Sequence, residues 1–207
     1  MSGLRTRQKE KRRDAILQAA QSRFLKKGYD KTSIDEIAAD AEVSVPTLYR
    51  YFSSKSELLL GLQRLDLDRI SKHGQRVLSD PPDDPVDALT QLIIEQNSDV
   101  FESVPGSHDL ALWRVVVSEA IRNPESLGRA YVVGDDILSR QIEIMLNILQ
   151  RRKQVRADAD LRKIAELIDF IAHGYFRVRL MGTEISNEEI RASIRAHIES
   201  IYWGIAK

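Results

Sequence analysis

Apolar residues recur at spacings of three and four along most of the chain, which predicts amphipathic α-helices rather than strands. In the first predicted helix the apolar stripe consists of Ile16, Ala19, Ala20 and Phe24, and Gly28 is a typical helix stop. Strand-like alternation is scarce throughout the 207 residues. The pattern therefore predicts an all-α protein.

Three further helix starts follow closely in the sequence. Thr32 or Ser33 can cap a short second helix, whose first turn is acidic. Ser44 can cap a third helix, and Pro46 is tolerated there because first-turn amides have no intrahelical partner. Residues 54–57 have the pattern of a capping box and open a fourth helix that runs to about residue 78. The second and third helices are both short and lie three or four residues apart.

A proline-rich and acidic segment, SDPPDDPVD at residues 79–87, is the clearest break in the chain. The apolar spacing beyond it predicts five more helices, over residues 86–101, 110–120, 125–150, 161–182 and 186–205. The total is nine to ten helices. We place the boundary between a small first domain and a larger second one after residue 54, which gives domains of residues 1–54 and 55–207.

The last two predicted helices are apolar over much more of their circumference than a single stripe. Such helices must be covered on two sides. They could lie deep in a monomer, but a chain of this size has few layers to cover them. We therefore expect a homodimer with a four-helix interface. Its expected residues are Leu167, Ile171, Val178, Ile190, Ile194, Ile198 and Ile201.

Composition narrows the range of functions. The absence of cysteine excludes disulfides and thiolate metal sites, the histidines lack metal-ligand spacing, and no membrane-spanning run occurs. We expect a cytoplasmic protein with no metal, cofactor or membrane partner. The net charge is zero, but residues 1–55 hold 12 Lys and Arg against 7 Asp and Glu. A basic first quarter indicates a polyanionic partner, although a solvated tail would have the same composition.

The segment VSVPTLYRYFSSKSEL, residues 43–58, gives the basic quarter a specific interpretation. Two short helices joined by a tight turn have the spacing of a helix-turn-helix, whose second helix enters the major groove of DNA. On that helix Tyr49, Arg50 and Tyr51 offer hydroxyls and a guanidinium to phosphates or bases. Leu48 and Phe52 are expected to point back and hold the helix in place.

Residues 16–59, ILQAAQSRFLKKGYDKTSIDEIAADAEVSVPTLYRYFSSKSELL, resemble the N-terminal domain of the TetR family of bacterial transcriptional regulators. The resemblance implies a three-helix DNA-binding helix-turn-helix domain, followed by a larger helical bundle for ligand binding and dimerisation. It also implies phosphate contacts by Thr32, Thr47, Tyr49, Tyr51 and Lys55, and base contacts near Ser44, Val45, Pro46 and Arg50. We include Ser33 in the same expected DNA-binding surface.

Four of these residues have alternative roles. Thr32 and Ser44 could be helix caps as well as DNA contacts, and Tyr49 could be a core residue. Arg50 could grip guanine in a bidentate way or contact a phosphate. One position departs from the family pattern, because Glu42 stands in the turn where the family usually has glycine. If that position is left-handed, a residue other than glycine costs about 1 kcal/mol there.

The predicted function is a ligand-responsive repressor that binds a palindromic double-stranded operator as a dimer and is released by an unidentified small molecule. Candidate ligand contacts are the bulky and polar residues of the middle and late helices, namely Asn97, Phe101, Trp113, Tyr131, His173, Tyr175 and Arg177. No glycine-rich phosphate loop or nucleophile motif indicates an enzyme. The alternative is an all-helical adaptor that binds only protein.

Overall fold

The computed structural model is helical and describes residues 2–101 and 108–206, without side chains for residues 2–5, 99, 100, 108, 109, 126 and 130–136. The helices in these ranges are α1 (Ser2–Lys27), α2 (Ile34–Asp40), α3 (Val45–Tyr51), α4 (Lys55–Ser79), α5 (Pro85–Gln96), α6 (Ser98–Phe101), α7 (His108–Arg122), α8 (Arg129–Arg151), α9 (Leu161–Leu180) and α10 (Asn187–Ile205). A π-helical turn, Pro124–Gly128, precedes α8. The all-α prediction is confirmed.

The predicted fifth helix is divided in the structure. It ends at Gln96, and Asn97 leaves the helical conformation before α6 begins. The Asn97 side-chain amide donates a hydrogen bond of 2.9 Å to the carbonyl oxygen of Ile93. Such local side-chain bonds compete with continued helix, which explains the break that the apolar spacing did not indicate.

The chain divides into two compact units, and the division differs from the expected boundary after residue 54. The first unit comprises Met1–Asp66 and Ala111–Ala130, and the second comprises Leu67–Leu110 and Tyr131–Lys207. The start of α4 belongs with the first unit because a side chain at Gly61 would lie 2.9 Å from Leu17 and 3.0 Å from Phe52. This close approach joins α4 to the core of the preceding helices.

The first unit has a continuous apolar core. The side chains that build it are fully or almost fully buried, and they are Ile16, Leu17, Ala20, Phe24, Ile37, Ala38, Leu48, Phe52, Leu58, Leu59 and Leu62. Helices α1, α2 and α4 each contribute at least two of these residues, α3 contributes Leu48, and Phe52 directly follows α3. The apolar stripe predicted for α1 therefore faces this core.

The second unit is organised around α5, α9 and α10. Ile93, Ile168 and Ile194 line a common small apolar gap where the three helices meet. A buried network of side-chain amides also lies in this unit. The Gln96 amide of α5 donates to the side-chain oxygen of Gln141 of α8 at 2.9 Å, and the Gln141 amide donates to the Ser71 carbonyl of α4 at 2.8 Å. No helix in the described ranges has the length and apolar character needed to cross a lipid bilayer.

Candidate DNA-binding surface

Local hydrogen bonds cap both α2 and α3 and close the turn between them. Ser33 caps α2 in a reciprocal capping box with Glu36, and Ser44 caps α3 by accepting from the Thr47 amide at 3.3 Å. The tight turn between them places Glu42 at a φ of 53°, the left-handed conformation that favours glycine. A backbone bond of 2.9 Å from the Val43 amide to Ala38 closes the turn. These features form a helix-turn-helix.

Helix α3 has one buried side and one exposed side. Leu48 is completely buried and Phe52, just after the helix, is almost so, which confirms that both hold α3 against the domain. On the opposite side Pro46 and Arg50 are exposed, and Tyr49 is 49% exposed. Tyr49 is therefore not a core residue. Ser44 is exposed as well, while Val45, Thr47 and Tyr51 are half-buried.

The structure corrects the expected role of Thr32. Its side chain is only 3% exposed, and its hydroxyl donates to the Gly28 carbonyl at 2.8 Å and lies 3.3 Å from the Arg23 carbonyl. A buried hydroxyl occupied in this way cannot reach a phosphate. Thr32 instead holds the loop between α1 and α2, and its neighbour Ser33 is the exposed cap.

Lys55 also differs from its expected role as a phosphate ligand. Its ammonium group donates to three backbone carbonyls of the α1–α2 loop, at 2.7 Å to Tyr29, 3.1 Å to Thr32 and 3.3 Å to Asp30. It also lies 4.5 Å from the centre of the Tyr29 ring. An ammonium group has three donors. All three are directed at the protein, so Lys55 joins the start of α4 to this loop.

Two further contacts hold the same loop. The Tyr29 hydroxyl lies 3.1 Å from Ser56, and burial raises the pKa of Tyr29 above its ordinary value. From the other part of the first unit, Arg122 donates to Asp30 at 2.9 Å and to Glu119 at 3.1 Å. The hydrogen bond to Asp30 raises the pKa of the Arg122 guanidinium. The loop is therefore held by residues from both α4 and α7.

Ion pairs attach α2 to α1. Arg23 makes two hydrogen bonds of 2.5 and 2.6 Å with Asp40, and Lys27 makes one of 2.5 Å with Glu36. The pKa of Glu36 is lowered to about 2, mainly by its hydrogen bond with Lys27. The hydrogen bonds with Arg23 likewise lower the pKa of Asp40. These carboxylates stay charged and keep the two helices in register.

Known proteins are similar to this chain in sequence and in fold. Residues 16–62 match the family model of the bacterial regulatory proteins of the tetR family. The HTH-type transcriptional regulator TcmR of Streptomyces glaucescens is 26% identical over 185 residues, 79% of this chain and 82% of TcmR. The HTH-type transcriptional activator FasR of Mycolicibacterium smegmatis is 42% identical over 62 residues, 30% of this chain and 28% of FasR.

A solved structure covers nearly the whole chain. The crystal structure described as a TetR-family transcriptional regulator from Mesorhizobium loti has a TM-score of 0.76 and 23% identity, over 96% of this chain and 98% of the other. Residues 16–62 of this chain therefore match the tetR family, and the chain has the fold of structures described as TetR-family regulators. The relatives matched in sequence are named as HTH-type transcriptional regulators.

The residues expected at a dimer interface lie in two different environments. Ile190, Ile194 and Ile198 of α10 are at most 2% exposed within the single chain, since α10 packs against α5. They are core residues, which corrects their expected place at a subunit contact. Leu167 is 50% exposed, and Ile171, Val178 and Ile201 are half-buried.

The expected ligand contacts do not form one described cluster. Trp113 belongs to the first unit, and the side chain of Tyr131 lies outside the described residues. In the second unit, Phe101 is buried and Asn97 bonds to its own helix. The remaining three lie on α9, where His173 contacts Asp169, Tyr175 contacts His197 at 3.3 Å, and Arg177 lies over the Phe170 ring at 5.5 Å. Their role in ligand binding stays a prediction.

Sequence reasoning missed other residues with a structural role in this TetR-family fold. Gln96 and Gln141 are at most 5% exposed and bonded to each other, and apolar spacing gives no signal for such a pair. Within the described ranges, no three acidic or histidine side chains are grouped so as to hold a metal ion.

Proposed function

We propose that this protein is a dimeric, ligand-responsive repressor that acts in the cytoplasm and reads a nearly palindromic operator through α3. The observation that carries the proposal is the two-sided character of α3. Leu48 and Phe52 fix the helix to the domain, while Pro46, Tyr49 and Arg50 face solvent. A recognition helix needs this combination, because its base contacts depend on a fixed orientation in the major groove.

Arg50 is the proposed base-reading residue. Its guanidinium carbon lies 5.8 Å from the Tyr51 ring, a cation–π distance that orients the side chain. An arginine can grip guanine with two parallel hydrogen bonds, whereas a lysine cannot.

The test of Arg50 begins with selection of bound sequences from a random DNA pool. On the selected operator Arg50→Ala should weaken binding by about 1 to 3 kcal/mol and relax preference at one base position. Arg50→Lys keeps the charge and should relax that position too. If Arg50→Ala weakens binding equally on every sequence, Arg50 contacts a phosphate.

We propose the outward face of α9 as the dimer contact. Leu167, Phe170, Ile171, Gly174 and Val178 recur at spacings of three and four, so they share one face of the helix. Phe170 is 65% exposed, and the opposite face of α9 is already buried in the core of the second unit. A helix with two apolar faces is stable in water only when both are covered.

Charge introduced into this face should separate the subunits. Phe170→Glu and Leu167→Glu are expected to give monomers by analytical ultracentrifugation. Ile121→Glu is the matched control, because Ile121 is an exposed apolar residue on α7, in the first unit. A Phe170→Glu protein that remains dimeric would place the interface elsewhere.

Gly174 gives a second test of the same face. No atom of the chain lies within 4 Å of the position that a side chain at Gly174 would take, so packing within one subunit does not require glycine. Alanine in a helix interior is favoured over glycine by about 1 kcal/mol. Gly174→Ala should therefore stabilise an isolated subunit. It should weaken the dimer if the partner's helix approaches closely at this point, and an unchanged dimer affinity would argue against close approach.

Ligand response is proposed to act through the second unit. An effector can release DNA only by preferring a conformation in which α3 is misplaced. The test is a screen of small metabolites for compounds that raise the melting temperature of the protein. A true effector must also lower its affinity for the selected operator, and a reporter gene behind that operator decides between repression and activation. A compound that binds without changing DNA affinity would not support the proposal.

A further inference from the structure

The first half of α1 extends beyond the core of the domain as a basic helix. Residues 6–12 are mostly or wholly exposed, whereas the core residues of α1 begin at Ile16. Between residues 7 and 13 the helix has five basic side chains and one acidic one. In the described part of the chain, the side chains of Arg7, Lys9, Lys11 and Arg12 make no hydrogen bond or ion pair. We refer to residues 7–13 as the basic arm.

The basic arm has two faces with different positions relative to the domain. Arg13 lies three and four residues before the buried Ile16 and Leu17, so it continues the inward face of α1. Its guanidinium carbon lies 5.6 Å from the centre of the Phe52 ring. Lys9 is one turn further out on the same face, because it lies four residues before Arg13.

Two of the other three basic residues, Arg7 and Lys11, point away from that face, and Arg12 lies between the two faces. Arg7 and Lys11 lie two residues from Lys9, which is about 200° around a helix of 3.6 residues per turn. They also lie four residues apart and therefore share a face. The arm thus presents one basic pair, Lys9 and Arg13, on the side of α3, which we call the inward pair. A second pair of equal charge, Arg7 and Lys11, lies on the opposite side and is called the outward pair.

The inward pair is placed beside the DNA-reading helix. Phe52 directly follows α3, and Arg13 packs against it. From Arg13 to Lys9 the helix rises about 6 Å, enough to pass more than one phosphate at the spacing of about 3.4 Å along each strand. A side chain beside the end of a helix in the major groove meets the phosphates that border the groove, not the base edges.

The sequence of the basic arm does not by itself favour a stable helix. Residues 7–13 contain no apolar side chain to pack against the domain, and like charges four residues apart disfavour an isolated helix. A row of phosphates would convert that repulsion into attraction and would release the condensed counterions of the duplex.

We propose that Lys9 and Arg13 form a second DNA contact that binds backbone phosphates beside the groove occupied by α3. This inference rests on the proposed function, since it requires α3 to lie in a duplex. It adds a contact that is independent of sequence. The partner is double-stranded DNA itself, and the arm should strengthen binding to operator and to unrelated duplex alike.

The test compares two double variants with the same loss of charge. Lys9→Gln with Arg13→Gln removes the inward pair, and Arg7→Gln with Lys11→Gln removes the outward pair. Binding to a 30-base-pair duplex of random sequence is measured at salt concentrations from about 50 to 200 mM. Each phosphate contact contributes about 0.9 to the slope of log affinity against log salt.

Removal of the inward pair should lower that slope by about 1.8 per subunit, which corresponds to about tenfold less loss of affinity across this range for one bound subunit and about a hundredfold less for a dimer. The outward variant should keep the original slope to within about 0.5. The single variant Lys9→Gln leaves the contact between Arg13 and Phe52 intact and should lower the slope by about 0.9. This single variant distinguishes the loss of a phosphate contact from the loss of the packing between Arg13 and Phe52.

Three outcomes would overturn the proposal. Equal effects of the inward and outward variants would mean that the arm acts only as diffuse charge. No effect of either variant, with normal binding by the unaltered protein, would mean that the arm is solvated. Binding of the arm to phosphatidylglycerol vesicles but not to DNA would assign it to a membrane surface. Failure of the unaltered protein to bind any duplex would instead contradict the proposed function.

Discussion

Replacement of Lys55 by methionine tests whether this residue holds the α1–α2 loop or binds a phosphate. Methionine keeps most of the aliphatic stem and removes only the charged donor. The hydrogen bonds lost are those of 2.7 Å to the Tyr29 carbonyl, 3.1 Å to that of Thr32 and 3.3 Å to that of Asp30, of which the last is weak. The contact with the Tyr29 ring is lost with them.

The expected cost follows from these contacts. Hydrogen bonds from a charged donor contribute about 1.5 to 3 kcal/mol each, and the lower value applies here because Lys55 is only half-buried. The two shorter bonds then give about 3 kcal/mol. The cation–π contact adds about 0.5 kcal/mol. Lys55→Met should therefore lower the free energy of unfolding of the first unit by about 3 kcal/mol.

The two tryptophans allow this unit to be followed alone. Trp113 is buried in the first unit, and Trp203 is 73% exposed in the second. In a Trp203→Phe background, the fluorescence of Trp113 during denaturant unfolding reports on the first unit. The control is Lys31→Met, since Lys31 is exposed and has no side-chain partner in the described part of the chain. It should change the free energy of unfolding by less than about 0.5 kcal/mol.

DNA binding decides between the two roles of Lys55. If Lys55 only holds the loop, the folded variant should bind random duplex with the same salt dependence as the unaltered protein. If Lys55 contacts a phosphate, the slope of log affinity against log salt should fall by about 0.9 per subunit. A reduced slope together with an unchanged free energy of unfolding would refute our interpretation of the three carbonyl contacts.

Three other changes test the backbone, the packing and the charges. Glu42→Gly should raise the free energy of unfolding by about 1 kcal/mol because φ is 53°, whereas Glu42→Ala should give no gain. Gly74→Ala should lower the free energy of unfolding by about 1 to 2 kcal/mol, since its side chain would lie 2.0 Å from Gln141 and displace a buried amide. The pKa of Glu36 is lowered to about 2, so its pair with Lys27 stabilises the fold above pH 4.5 and is lost towards pH 2. The melting-temperature difference between the unaltered protein and Glu36→Gln should shrink over that range.

Local signals in the sequence predicted most helices of the first unit. The caps at Ser33 and Ser44 and the buried pair Leu48 and Phe52 depend on residues within a few positions of one another. Such short-range patterns can be read directly. The division into units could not be predicted from the sequence, because it depends on the approach of Gly61 to Leu17, which lies 44 positions earlier.

The contacts of Lys55 and Thr32 within the chain explain why the structure places both residues differently from the expected phosphate contacts. Lysine and threonine are suitable phosphate ligands, and nothing in their own neighbourhood excludes that role. Lys55 is instead occupied by carbonyls 23 to 26 positions earlier, and Thr32 by the Gly28 carbonyl four positions earlier. Backbone carbonyls are present at every residue, so a bond to them leaves no sequence pattern.

The isoleucines of α10 illustrate a different limit. Apolar periodicity identifies the face of a helix that must be covered, but it does not identify the covering surface. In this chain α5 covers Ile190, Ile194 and Ile198, whereas the second apolar face of α9 is not covered by the described residues. The reasoning that these helices need cover on two sides therefore still applies to α9, with Phe170 and Leu167 as the exposed residues.

The orientation of α3 depends on contacts outside α3 itself. Seven residues form about two turns, too few to be stable alone, so tertiary contacts must fix the helix. Leu48 and Phe52 attach it to the core, and the core continues into α4 through Gly61. The beginning of α4 also holds the α1–α2 loop through Lys55, while Arg122 at the end of α7 holds Asp30 of that loop. We expect a ligand that reorients α3 to act on α4 or α7, because these helices supply Lys55 and Arg122 to the α1–α2 loop. Arg122→Ala should then reduce the response of DNA affinity to an effector more than it reduces DNA affinity itself, and an equal reduction of both would exclude α7 as the route.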